Sequence, residues 1–103
     1  MKQHGKVVRA ASAPRAGKRV QDVIEKINPA HEEMDFEEFA LQALEVLPEP
    51  PYPMFHCVWS GFNDAARVAF PDVDPCQALI DMGKRNLITV RPFKGGALIG
   101  PPK

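Results

Sequence analysis

Between residues 36 and 47 the apolar side chains recur at helical spacing. Phe36, Ala40, Ala43, Leu44 and Leu47 share one face, while Glu37, Glu38, Gln42 and Glu45 share the other. Asp35 stands where an N-cap belongs, and Glu38 three residues later completes a capping box. Met34 and Phe39 occupy the two positions of a hydrophobic staple, and Pro48 terminates the helix. A second helical stripe over 61–70 holds Phe62, Ala65, Ala66, Ala69 and Phe70, with Ser60 or Asn63 as its cap and Pro71 closing it. A third helix starts at Asp74, with Pro75 in its first position and Gln77 as the reciprocal capping partner. Its pattern turns Cys76, Leu79 and Ile80 inward, and Gly83 suits a left-handed C-terminal cap. Upstream, Val20, Val23, Ile24 and Ile27 suffice for two helical turns before Asn28-Pro29. That piece either docks on the domain or pairs with another copy.

The remaining pattern is extended. Residues 54–59 have strand character with weak alternation. Residues 87–91 and 97–99 read as two strands, with Ile88 and Val90 on one face of the first and Thr89 and Arg91 on the other. Lys94-Gly95-Gly96 forms the hairpin loop between them. Prolines 48, 50, 51 and 53 make a stiff connector, largely polyproline II. Trp59 and Phe62 read as core side chains rather than as a binding platform.

In order, the elements are helix, short strand, helix, tight turn, helix, strand, glycine turn, strand. The stretch Ala78-Leu79-Ile80-Asp81-Met82-Gly83, then Leu87-Ile88-Thr89-Val90-Arg91 and the tip Lys94-Gly95-Gly96, resembles the helix-to-wing half of a winged helix-turn-helix domain. The resemblance covers residues 34–100 and is one of element order rather than of a signature motif. It implies an α+β fold, a small winged-helix domain of three helices plus a three-stranded antiparallel β-sheet, with the strand near 55–58 beside the wing. In DNA-binding domains of this kind the third helix enters the major groove and the wing touches the backbone or minor groove. Carried over, Gln77, Ala78 and Asp81 would face the groove, with Lys84 and Arg85 at the helix end. Gln77 is the candidate for reading adenine, and Arg91 and Lys94 are candidate phosphate contacts.

Composition and charge narrow this reading. A chain of 103 residues, 45% hydrophobic, holds one domain. Its formal net charge is zero, but Lys2, Lys6, Arg9, Arg15, Lys18 and Arg19 crowd residues 1–19 without an acid. Residues 20–50 set Asp22, Glu25, Glu32, Glu33, Asp35, Glu37, Glu38, Glu45 and Glu49 against Lys26 alone. Residues 51–103 carry six bases against Asp64, Asp72, Asp74 and Asp81. The expected organisation is a flexible basic tail over 1–19, a short helix or linker over 20–33, and the winged-helix domain over 34–100.

The tail and wing favour nucleic acid, whereas Asp81 sets an acid on the reading helix. Lys84 and Arg85 also suit a helix C-terminus without any ligand. The expected function is a non-enzymatic, nucleic-acid-binding winged-helix protein, a transcriptional regulator or accessory DNA-binding protein using helix 74–84 and wing 87–99. The alternative is a winged-helix module that binds a protein partner or a second copy without reading DNA. No apolar run approaches the roughly 18 residues that a membrane span needs. Residues 1–19 are too basic for a secretory signal, so a bacterial-type cytoplasm is expected. His56, Cys57 and Cys76 supply three zinc-ligand types without a fourth at a useful spacing, so neither metal nor cofactor is expected. No nucleophile–base arrangement or phosphate-cradling loop has a recognisable spacing, and no enzyme is expected.

Overall fold

Capping chemistry decides where the chain turns helical. In the computed structural model, which describes residues 8–9 and 18–103, helix α1 spans Lys18–Ile27 and helix α2 spans Phe36–Val46. The Asp35 side chain accepts the Glu38 N–H at 2.9 Å, and the Glu38 carboxylate accepts the Asp35 N–H at 3.0 Å. The expected capping box is therefore formed, with Met34 and Phe39 both buried at the staple positions. The tail expected over 1–19 lies outside the described residues, apart from a two-residue strand β1 (Val8–Arg9), Lys18 and Arg19. Strand β1 pairs antiparallel with β2 (Glu33–Met34).

Helix α3 spans Phe62–Ala69 and α4 spans Pro75–Lys84. Strands β3 (Phe55–His56), β4 (Thr89–Phe93) and β5 (Gly96–Gly100) form an antiparallel sheet in the order β3-β5-β4. The described chain is thus a small α+β domain with four helices and this three-stranded sheet. The fourth helix is α1: Ile24 and Ile27 are wholly buried, and the helix packs on α2 and α3. Asn28 closes the following loop by bonding both the carbonyl and the N–H of Glu32.

Aromatic rings fill the centre. Phe36 and Phe39 of α2 meet Phe62 of α3 and Phe70 with ring centroids 5.3 to 6.0 Å apart, and Phe55 of β3 joins at 5.4 Å from Phe62. Edge-on and tilted contacts of this kind add to simple burial. Asn63 is also buried; its amide Nδ2 lies 3.6 Å from Cys57 Sγ and 3.8 Å from Cys76 Sγ.

Four local expectations are corrected. Helix α3 is capped by Gly61 at φ +86, and Ser60 only accepts the Phe62 N–H at 3.2 Å, while Asn63 lies inside the helix. A Cβ at Gly61 would stand 3.2 Å from Val23, so the close approach of α1 explains the glycine as well as its positive φ does. In α4 the buried residues are Pro75, Ala78, Leu79 and Met82, whereas Cys76 and Ile80 are exposed. Phasing from Pro75 selects that stripe, which buries Ala78 instead of turning it to a groove. The left-handed residue that closes the same helix is Asn86, at φ +61, two residues beyond its last residue Lys84, and not Gly83. The Asn86 N–H bonds the Gly83 carbonyl and the Leu87 N–H bonds that of Met82, the paired pattern of a left-handed C-cap. Finally, the proline connector is not uniformly extended, because the Tyr52 N–H returns to the Glu49 carbonyl at 3.1 Å.

Replacing Ile24 by alanine should lower the free energy of unfolding by about 2–5 kcal/mol, read by urea denaturation. A change of only a few tenths would mean that α1 is not part of the cooperative core.

Candidate functional site

Residues directly opposite in an antiparallel ladder share a face. Phe55, Ile99 and Val90 lie in one such row, and the first two are buried against the helices. His56, Leu98 and Arg91 form the next row and therefore lie on the other, outer face of the sheet. Phe93 with Gly96, and Thr89 with Gly100, share that outer face.

His56 organises this face. Its Nε2 lies 2.9 Å from the Phe93 carbonyl, which can only accept, and its Nδ1 receives the N–H groups of Val58 at 3.2 Å and Trp59 at 3.1 Å. These partners select the neutral imidazole with its proton on Nε2. The ring starts on β3, passes over β5 and ends on β4. Gly96 lets it pass, because a Cβ there would stand 2.7 Å from His56 Cε1 and 3.0 Å from Val58 Cγ2. The turn is therefore Lys94-Gly95 alone, both at positive φ, and Gly96 belongs to the strand. The hydrogen bonds to Nδ1 also bend the chain after His56, so strand β3 stops there instead of running on to Trp59.

Trp59 was expected in the core beside Phe62. Phe62 is wholly buried, but Trp59 is 57% exposed, its indole stacked on the His56 ring at 4.0 Å and 11°. Phe93, 41% exposed, stands nearly perpendicular to both rings, 5.8 Å from Trp59 and 6.1 Å from His56. The Trp59 N–H is held by His56 and its carbonyl by the Arg19 guanidinium at 3.0 Å. Beside this cluster a groove of about 580 Å³ runs between α1 and the proline connector, lined by Val23, Leu47, Tyr52, Met54, Trp59 and Leu98 among others. Pattern reading had no means of finding the platform, since its exposure depends on a turn that the His56 side chain closes together with backbone bonds from Ser60 to His56 and from Gly61 to Val58.

Of the anticipated contact residues, Gln77, Lys84, Arg85, Arg91 and Lys94 are exposed, Asp81 is half-buried and Ala78 is buried. On α4 the Gln77 amide donates to Asp81 at 3.2 Å, and Lys84 lies in the last turn. Arg85 caps that helix and pairs with Glu37 of α2. Arg91 lies on the outer sheet face, whereas Val90 turns towards Gly83 of α4. Lys94 is at the hairpin tip. Charge is sorted as well: residues 50–63 and 82–103 contain no Asp or Glu, and the latter stretch holds Lys84, Arg85, Arg91, Lys94 and Lys103. Among the described residues no group of three or more His, Cys, Asp or Glu side chains is arranged to hold a metal ion, and no helix is long and apolar enough to cross a membrane. No family model, curated protein or solved structure matches the chain.

Gly96→Ala should destabilise the fold by about 1–3 kcal/mol through overpacking. In a His56→Ala background the same change should cost at least about 0.5 kcal/mol less, a coupling that chemical denaturation of the double-mutant cycle measures. Strict additivity would show that the ring does not constrain position 96.

Proposed function

We propose that the chain is a non-enzymatic nucleic-acid-binding domain of the winged-helix type. The order α2–β3–α3–α4–β4–β5, with β5 between β3 and β4, supports the winged-helix resemblance. The observation that carries the binding reading is the absence of any acid from residues 82–103, combined with the exposure of Lys84, Arg91 and Lys94 there. Such a surface suits a polyanion, and phosphate contacts position a domain without reading sequence. Base readout by helix α4 has less support, because Gln77 is engaged by Asp81 and Arg85 by Glu37. The hairpin is accordingly the main contact in this proposal.

A second reading has its own observation in favour. The apolar groove beside Trp59 suits a protein segment, as expected of an interaction module.

Salt titrations of binding to a labelled oligonucleotide test the first reading. The Arg91→Ala, Lys94→Ala double variant should lower the slope of log K against log[salt] by about 1.4–1.8, since each phosphate contact accounts for about 0.7–0.9. An unchanged slope with unchanged affinity would refute it and favour the protein-binding reading.

A further inference from the structure

We infer that the outer face of the sheet binds single-stranded nucleic acid, with Trp59 as the surface on which an unpaired base stacks. This rests on the nucleic-acid reading above and goes beyond it by assigning the form of the ligand and a contact face other than helix α4.

Three observations converge on that face. First, one side of the Trp59 indole lies on His56 and more than half of the residue is open, so the other side is available to a flat ring. Every base has a π-face, and stacking on an exposed aromatic needs no particular sequence. Inside a duplex both faces of a base are already stacked on neighbours, so this platform discriminates in favour of unpaired strands. Second, the platform is held in place before any ligand arrives. The backbone N–H and carbonyl of Trp59 are both hydrogen-bonded, its ring rests on a histidine fixed at both nitrogens, and Phe93 flanks both rings. Third, the charges around it suit a phosphodiester chain. Arg91 shares the outer face, Lys94 is at the tip next to Phe93, Arg19 bonds the Trp59 carbonyl, and Lys103 lines a shallow groove with Arg91. The strands β3, β4 and β5 and the turn that carries Trp59 contain no acid to oppose them. Glu49 and Lys26 both line the groove beyond Trp59, which leaves that side neutral.

The chain has one tryptophan, so its intrinsic fluorescence reports on the platform alone. The full chain is titrated with an oligothymidylate of about 12 nucleotides, with a duplex of the same length, and with a proline-rich peptide, while anisotropy of a labelled strand gives affinity independently. The expected result is tryptophan quenching that saturates with the single strand, and weaker binding of the duplex. Phe93→Ala and Trp59→Ala should each weaken single-strand binding at least about fivefold by anisotropy, with the circular dichroism spectrum of the fold retained. Phe93 is a surface residue, so its variant keeps the test valid if Trp59→Ala fails to fold. Equal binding of duplex and single strand without quenching would overturn the inference and leave the nucleic-acid reading standing. Absence of binding to either form would overturn both. Quenching by the peptide and by neither nucleic acid would also overturn both, in favour of a protein partner.

Discussion

One imidazole holds three strands and a turn in register. His56 starts on β3, crosses β5 above a residue that has no side chain, and bonds a carbonyl of β4. Its second nitrogen gathers two N–H groups of the chain that follows it, so the ring also sets the turn leading into α3. A neutral ring offers one donor and one acceptor, and this site uses both. The same arrangement engages the histidine of the trio His56, Cys57 and Cys76. Both His56 nitrogens are engaged by backbone groups, while the sulfurs of buried Cys57 and exposed Cys76 flank the Asn63 amide at 3.6 and 3.8 Å.

The core answers to a different constraint. Five of the six phenylalanines belong to one ring cluster, and the sixth, Phe93, is on the surface. Because α1 packs on α2 and α3 with Ile24 and Ile27 buried, the packed core includes residues before the capping box of α2. The groove beside Trp59 is bordered by Val23 of that same helix, so the helix that completes the core also forms a wall of the surface cavity.

Much of this architecture was legible in the sequence wherever a local rule applied. The capping box at Asp35, the start of α4 at Asp74-Pro75, the stripe of α3 and the existence of the hairpin all follow from chemistry within a few residues. The misreadings occur where a distant residue decides. Two apolar phases compete on α4, and only packing chooses Ala78 and Met82 over Cys76 and Ile80. Gly96 reads as a turn glycine because the histidine that needs it lies 40 positions earlier. Trp59 reads as core because apolar bulk usually is, and nothing within its own segment announces the bend that exposes it. Arg91 and Lys94 were legible as exposed cations, but that Arg91 lies on the outer face while α4 packs beside Val90 of the other row was not.

The sorting of charge has a consequence for how the molecule meets a partner. With zero formal net charge there is no overall attraction to accumulate it near a polyanion. A chain with nine of its thirteen acids in residues 20–50 and none after Asp81 instead has an uneven field. Such a field exerts a torque at close range: it turns the molecule so that one side leads and penalises approach by the other. The effect fades beyond a screening length of about 8 Å in physiological salt. Orientation is therefore selected in the last steps of an encounter, and the protein stays free to diffuse until then.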